Sequence, residues 1–157
     1  MTVVYLALGS NQGDLLVNLR LAIRKLEASG EASGEASGNV KLTAKSRIYQ
    51  TQSVGTGGEG NFLNAVIRAE TCYSAAELLG VIHRIEFEMG RDEPLKAGAH
   101  RAGTRSIDID ILLFGDEIHN TPELEIPHPR ALYRSFVLQP LLDVLEGGWI
   151  KSTELEL

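Results

Sequence analysis

The chain has 157 residues and a net charge of −6, with hydrophobic residues at 43% and charged residues at 23%. This composition is typical of a soluble globular protein, the length favours one domain over residues 1–157, and the acidic balance argues against nucleic-acid or membrane binding. The single cysteine, Cys72, cannot form an internal disulfide, and no signal peptide or bilayer-spanning apolar run is evident, so we expect a cytoplasmic protein.

The first part of the chain predicts a strand, a helix and a connector. Thr2 to Leu8 is nearly all apolar and predicts a central strand, which ends in a turn-forming Gly-Ser-Asn segment. That turn is better explained as a tight strand-to-helix connection than as a phosphate loop. The helix follows as an apolar stripe at Leu15, Leu16, Leu19, Ile23 and Leu26. The tetrapeptide Glu-Ala-Ser-Gly then occurs three times within Glu27 to Gly38, which indicates an expanded loop with no chemistry of its own.

Two further strands and a loop are predicted in the middle of the chain. Val40 to Tyr49 alternates cleanly and predicts one half-exposed strand, and the Gly-rich stretch Thr51 to Gly60 is long enough to be a binding loop. Asn61 to Thr71 predicts another strand, on which Phe62 and Asn64 share a face. An aromatic ring and an amide there could bind a flat heterocycle, but ordinary cross-strand packing is the favoured alternative on this pattern alone.

The next segment predicts a helix and a basic loop. Ser74 to Glu77 has the form of a capping box and opens an amphipathic helix that ends near Gly90. Glu86 lies near the helix C-terminus, where a carboxylate is unfavourable, and this hints at a functional use. The stretch Arg91 to Gly103 carries four basic side chains between small residues. It fits a phosphate-closing loop and a solvated basic loop about equally well.

An acidic pair lies on the following predicted strand. Because strand side chains alternate, Ile107, Ile109 and Ile111 face one way, and Asp108 and Asp110 face the other way side by side. Two carboxylates this close repel each other unless a positive charge lies between them. Mg²⁺ suits such a pair, because it takes oxygen ligands and is usually bound by carboxylates and phosphate groups together. The alternative is an outward face that carries two solvated acids.

The end of the chain predicts a hairpin, a held histidine and a helix. Glu117 to Ile126 predicts a small hairpin or excursion, and prolines on both sides of His128 restrict its backbone. Arg134 and Phe136 follow closely, which makes a charged and aromatic cluster. Val137 to Leu145 then predicts a last helix.

The order β-α-β-β-α-β with a helical C-terminal extension predicts an α+β protein with a ferredoxin-like sandwich. In that plan the helices cover one sheet face and leave the other partly open. The polar sides of the strands would then bring together Phe62, Asn64, Asp108 and Asp110. The Gly-rich loop and the basic loop could both fold over this face, which would place a ring site, a metal site and a phosphate-binding loop side by side. This arrangement predicts transfer of a phosphoryl-type group from a nucleotide to a small aromatic substrate.

Several motifs between about Leu6 and Leu142 occur in the same order as in a known protein family. They are Leu8-Gly9-Ser10-Asn11 with Gly13-Asp14, Phe62-Leu63-Asn64-Ala65, Glu86 with Gly90-Arg91, the run Arg101 to Leu112, and Ile126-Pro127-His128-Pro129 with Arg134-Ser135-Phe136. In these motifs the chain resembles the 6-hydroxymethyl-7,8-dihydropterin pyrophosphokinases, enzymes of folate synthesis. Ala102 and Thr104 depart from the family, which commonly has Trp and Pro there.

The resemblance implies an enzyme that transfers the pyrophosphoryl group of ATP to the hydroxymethyl oxygen of the pterin and releases AMP. It implies two Mg²⁺ ions at Asp108 and Asp110, and catalytic roles for the residues Arg91, Arg105, Asp108 and Asp110. It implies a pterin site formed by Thr51, Val54, Phe62, Asn64 and Phe136. It also implies a nucleotide site formed by Glu86, Arg91, Arg105, Ile111, His128 and Arg134. The partners would be these small substrates, and the protein would be a monomer.

Three other functions remain open on the sequence. The first is a binding module without catalysis, since ferredoxin-like domains serve many functions. The second is an ordinary kinase, which would move only the γ-phosphoryl group and leave ADP. The third is a structural protein, which predicts no Mg²⁺-dependent nucleotide binding.

Overall fold

The computed structural model describes residues 1–30, 40–52, 61–90 and 106–145. Several predictions from the sequence lie outside these residues. They concern most of the tripled Glu-Ala-Ser-Gly segment, the Gly-rich loop with Val54, and the basic loop with Arg91, Ala102, Thr104 and Arg105.

The described residues form an α+β structure, as predicted. In chain order the elements are β1 (Thr2–Ser10), α1 (Leu15–Glu27), β2 (Val40–Lys45), β3 (Tyr49–Gln52), β4 (Asn61–Thr71), α2 (Ala75–Glu88), β5 (Asp108–Phe114), β6 (His119–Asn120), β7 (Glu125–Ile126), a 3-10 helix (Ala131–Tyr133) and α3 (Ser135–Leu145). The predicted hairpin after the acidic strand is confirmed as the antiparallel pair β6 and β7. No helix within the described ranges is long and apolar enough to cross a membrane.

The main sheet is antiparallel and has five strands in the order β2-β4-β1-β5, with β3 also paired to β4. The apolar strand β1 is central, as its sequence predicts. Gly9 of β1 lies opposite Asn64 of β4 on one side and Asp108 of β5 on the other. Because directly paired residues project to the same face, this register places Asn64 and Asp108 in one row across the sheet.

One face of the sheet packs against α1 and α2. The buried side chains of this core include Val4, Leu6, Leu8, Leu19, Leu26, Ile67, Leu78, Ile82, Ile107, Ile109 and Ile111. The predicted alternation of β5 is therefore confirmed, with its isoleucines directed into the core. Full burial of such a side chain contributes about 1.5–3 kcal/mol, so this face strongly favours one strand register.

The opposite face carries a second, smaller core. Helix α3 and the 3-10 helix cover part of it and bury Val66, Leu112, Ala131, Val137, Leu141 and Val144. The face is thus closed where α3 crosses it, and Asn64, Asp108 and Asp110 line a cleft beside the helix. This partial cover agrees with the predicted half-open face.

The single strand predicted for Val40 to Tyr49 is wrong, because the chain forms two strands there. The pairing shifts between Leu42 and Ala44, so Leu42 packs toward α1 and α2 while Ala44 packs toward α3. The break follows at Ser46, whose Oγ accepts the backbone N–H of Val66 at 2.8 Å and donates to the carbonyl of Arg47 at 2.6 Å. A serine side chain that bonds to the backbone in this way competes with regular strand pairing.

The helix starts follow local sequence signals. Asp14 accepts the backbone N–H of Val17 at 3.2 Å and caps α1. The predicted capping box of α2 is confirmed, since Ser74 and Glu77 accept each other's backbone N–H at 3.1 and 3.0 Å. The hydrogen bond from the Ser74 backbone holds the pKa of Glu77 below its usual value.

Candidate active site

The acidic pair starts β5 and faces two adjoining pockets. Asp108 lies opposite Gly9 and Asp110 opposite Ala7, so both carboxylates project to the face away from α1 and α2. Both line a small cleft of about 90 Å³ next to α3 and a larger groove of about 610 Å³ beside α2. The sequence-based prediction that the two carboxylates share a face is confirmed.

The floor of the small cleft is formed by short side chains on β1 and by the amide of β4. Asn64 is 9% exposed, and its Nδ2 donates to Oγ1 of Thr51 at 2.9 Å, which fixes the orientation of the amide. A Cβ on Gly9 would lie 3.2 Å from Oδ1 of Asn64. Gly9 therefore lets the amide lie close over the central strand, and Ala7 continues the flat floor toward Asp110.

The wall of the small cleft comes from the start of α3. Phe136 and Arg134 both line it, and the Arg134 guanidinium lies over the Phe136 ring at 5.6 Å from the ring centre. This distance suits a cation–π contact. Phe62 is half-buried opposite Thr51, on the same face of β4 as Asn64, but among the described residues it does not line the cleft.

His128 lies where the two pockets meet. Its Nδ1 accepts the backbone N–H groups of Arg130 and Ala131 at 3.3 and 3.0 Å, and its own backbone N–H donates to Leu112 at 3.1 Å. Because Nδ1 accepts, the neutral ring carries its proton on Nε2. Nε2 lies 3.8 Å from Oδ1 of Asp110. The predicted restraint on this imidazole thus comes from hydrogen bonds as well as from the flanking prolines.

The larger groove lies between α2, β5 and the β6–β7 hairpin. Glu86 is 4% exposed and accepts the backbone N–H of Ile109 at 3.2 Å, which ties the end of α2 to the acidic strand. Ile111 is buried and lines the same groove. The structure thus brings Glu86, Ile111 and His128 to one groove, whereas Arg134 lies in the small cleft.

Part of the lining of both pockets was not predicted from the sequence. The missed residues of the groove include Leu79, His83, Pro122, Glu123, Leu124, Glu125 and Arg130, and those of the cleft include Ala7, Gly9, Ala131 and Val137. Leu79 and His83 lie on one face of α2 with Glu86, so helical spacing was an available signal for these two. The others come from several elements that only the fold brings together. Small residues at the end of a central strand were the available signal for the floor at Gly9.

The turn after β1 is held by a polar network. Ser10 Oγ donates to the carbonyl of Ser106, and Asn18 Nδ2 donates to Ser10 Oγ at 3.1 Å and to the carbonyl of Gln12 at 2.7 Å. Ser106 Oγ in turn donates to the carbonyl of Met89. These bonds join the ends of β1 and α2 to the residues just before β5, which supports the structural interpretation of the Gly-Ser-Asn turn.

The two carboxylates suit a metal cation whose other ligands come from a bound substrate. Within the described ranges no three His, Cys, Asp or Glu side chains form a complete metal site. Asp108 and Asp110 offer two carboxylates beside open pockets. Mg²⁺ is commonly bound by one or two carboxylates, with water and phosphate as its other ligands, so the pair suits Mg²⁺ that arrives with a phosphate-bearing substrate.

An α+β fold in which two adjoining pockets share a carboxylate pair has the arrangement of a two-substrate transferase. The sequence model of the 7,8-dihydro-6-hydroxymethylpterin-pyrophosphokinase family matches residues 5–146 of this chain. The chain belongs to that family.

Curated relatives agree with this membership. A 2-amino-4-hydroxy-6-hydroxymethyldihydropteridine pyrophosphokinase of Aquifex aeolicus is 40% identical over 144 residues, which cover 92% of this chain and 81% of the relative. The protein of that name from Bacillus subtilis is 38% identical over 154 residues, or 98% of this chain and 84% of the relative. A folate synthesis bifunctional protein of Arabidopsis thaliana is 39% identical over 142 residues, which are 90% of this chain but 27% of that protein.

Proposed function

We propose that this protein is a pyrophosphokinase of folate biosynthesis, which converts ATP and 6-hydroxymethyl-7,8-dihydropterin to AMP and the pterin diphosphate. The hydroxymethyl oxygen attacks the β-phosphorus of ATP and loses its proton to solvent, and the bond from that phosphorus to the oxygen on the α-phosphorus breaks, so that AMP leaves with that oxygen. One observation carries the proposal for the site. The small cleft and the larger groove meet at Asp108, Asp110 and His128, where two substrates can approach each other.

The small cleft is the proposed pterin site. The oriented amide of Asn64 suits the polar edge of a pterin, and the ring of Phe136 offers a stacking surface. A pterin on that ring would displace the Arg134 guanidinium, which could then reach the phosphates near the acidic pair. Thr51 supports Asn64, and we assign Phe62 and Val54 to the outer side of the site, with Val54 outside the described residues.

The larger groove is the proposed nucleotide site. Glu86 and Ile111 lie in its wall, and the Nε2–H of His128 can donate to a phosphate oxygen. Arg91, Arg105 and Arg134 are assigned to the phosphates, of which the first two lie outside the described residues. Positioning of the two substrates and stabilisation of phosphate charge would supply the catalysis, without a covalent enzyme intermediate.

Asp108 and Asp110 are the proposed ligands of Mg²⁺, and two ions are expected. When bound, Mg²⁺ would neutralise the triphosphate charge and hold the phosphates near the pterin hydroxyl. The protein's own part is to hold two carboxylates on one strand face, with His128 beside them.

The finer fold assignment is also a proposal. The strand order β2-β4-β1-β5 with two helices on one face supports a ferredoxin-like sandwich, extended by α3. We assign residues 1–157 to one pyrophosphokinase domain that acts as a monomer on small substrates. The proposed compartment is the cytoplasm.

Product analysis tests the function. Purified protein, Mg²⁺ and ATP are mixed with and without 6-hydroxymethyl-7,8-dihydropterin, and the nucleotides are separated. We expect AMP only when the pterin is present, in equal amount to the pterin diphosphate. Pterin-dependent ADP would indicate an ordinary kinase, and ATP binding without turnover would indicate a binding module.

A further inference from the structure

One carboxylate oxygen of α3 accepts two hydrogen bonds, one from the connection between β2 and β3 and one from the first residue of β3. Oδ2 of Asp143 accepts the hydroxyl of Tyr49 at 2.7 Å and the backbone N–H of Arg47 at 3.1 Å. Asp143 and Tyr49 are both partly buried. Hydrogen bonds to a charged acceptor are shorter and stronger than neutral ones, so this contact fixes α3 more firmly than one neutral bond would.

One end of this contact lies beside the floor of the small cleft, and the other lies on the helix that carries its wall. Tyr49 lies directly opposite Asn64 in the pairing of β3 with β4, and Asn64 belongs to the cleft floor. Asp143 lies seven residues after Phe136 on α3, which is two helical turns or about 10.5 Å along the axis. The Tyr49 side chain therefore links the strands beside the floor to the helix that carries the aromatic wall.

Apolar packing alone would not fix this distance well. The contact of α3 with the sheet is made largely by Val137, Leu141 and Val144. Apolar contacts have no preferred direction, so they define the position of a helix along a sheet less narrowly than a directional bond does. A hydrogen bond has a narrow range of distance and angle and therefore selects one position.

We propose that Tyr49 and Asp143 are positioning residues that set the separation of Phe136 from Asn64, and with it the affinity of the small cleft for its flat substrate. This inference rests on the proposed function of the cleft. Neither residue needs to touch the substrate. Their contribution reaches it through the position of α3.

The protonation of Tyr49 agrees with this role. Burial, with the hydrogen bond and the charge of Asp143, raises the pKa of Tyr49 to about 12, while the charge of Arg47 acts in the opposite direction. The phenol thus remains a hydrogen-bond donor over the whole range in which an enzyme assay is run.

The test compares two tyrosine hydroxyls in the same chain. Tyr49→Phe removes the bond to Asp143 and keeps the ring. Tyr73→Phe is the matched control, because the Tyr73 hydroxyl lies 3.4 Å from Oγ of Ser29 and Tyr73 packs with the core on the other face of the sheet. We expect Tyr49→Phe to raise the KM for the pterin about fivefold, the effect of one hydrogen bond, with the KM for ATP unchanged. Tyr73→Phe should change neither KM.

A double-mutant cycle separates positioning from general loosening of the protein. If Tyr49 acts through Phe136, Tyr49→Phe should raise the pterin KM no further in the Phe136→Ala background. Asp143→Asn provides a second way to weaken the contact, and circular dichroism checks that each variant is folded. An unchanged pterin KM in folded Tyr49→Phe and Asp143→Asn, or an equal rise in both KM values, would overturn the inference. Absence of AMP formation by the wild-type protein would instead overturn the proposed function.

Discussion

Nε2 of His128 lies 3.8 Å from Oδ1 of Asp110, at the junction of the small cleft and the larger groove. Two backbone N–H groups donate to Nδ1 of His128 and orient the imidazole, and the register of β5 on β1 places the Asp110 carboxylate. A proton donor and an anionic ligand therefore reach the same place from different elements. This suits a site in which a cation and phosphate oxygens must be held together.

The role of Asp110 can be tested by an isosteric change. Asp110→Asn removes the charge that would bind Mg²⁺, so we expect kcat to fall at least about 100-fold. The fold should persist, with the free energy of unfolding changed by less than about 1 kcal/mol, because the side chain is half-exposed beside a pocket. Asp116→Asn, at an exposed turn after β5, is the control and should retain full activity. Unchanged turnover in Asp110→Asn would refute the metal assignment.

His128 allows its two nitrogens to be tested separately. His128→Asn retains an acceptor near the position of Nδ1, so the backbone N–H groups of Arg130 and Ala131 keep a partner. We expect this variant to unfold at nearly the wild-type temperature while kcat/KM for ATP falls about tenfold or more. His128→Ala should lose the same activity and also about 1 kcal/mol of stability. Full activity in His128→Asn would mean that Nε2 has no role.

The floor of the small cleft can be tested with a single methyl group. Gly9→Ala places a Cβ 3.2 Å from Oδ1 of Asn64 and fills part of the cleft. Because overpacking shifts nearby groups at a cost of about 1–3 kcal/mol, we expect the pterin KM to rise roughly tenfold. Gly80→Ala is the control, since a Cβ on Gly80 of α2 meets no atom within 4 Å. Similar effects of the two substitutions would contradict the assignment of the floor.

The raised pKa of Tyr49 predicts how stability depends on pH. The pKa is about 12 in the folded protein and 10.0 for a free tyrosine, so the contribution of the phenol is complete below pH 10 and is lost as the pH rises toward 12. Tyr49→Phe has no such group. The stability advantage of the wild type over Tyr49→Phe should therefore shrink between pH 10 and 12, as measured by urea unfolding. A constant difference over this range would show that the phenol ionises equally in both states.

The features predicted correctly from the sequence are those that depend on residues close together in the chain. The period-two pattern of β5 places Ile109 in the core and Asp108 outside, because one sheet face must exclude water. The capping box at Ser74 is likewise complete within four residues. Local signals of this kind do not depend on distant parts of the chain.

The features that the sequence did not predict depend on tertiary contacts. The break between β2 and β3 occurs where Ser46 bonds to Val66, twenty residues away. The contact of Tyr49 with Asp143 joins residues 94 positions apart. A residue pattern cannot report such pairs before the sheet register and the path of α3 are known.

In the proposed reaction, ATP in the groove donates its β- and γ-phosphoryl groups together to a pterin in the cleft. The most direct test uses ATP labelled with ³³P at the α-position and with ³²P at the β- and γ-positions, followed by separation of the products after one turnover. We expect all ³³P in AMP and both ³²P atoms on the pterin. Pterin that carries only the γ-phosphorus, with ³³P in ADP, would contradict it.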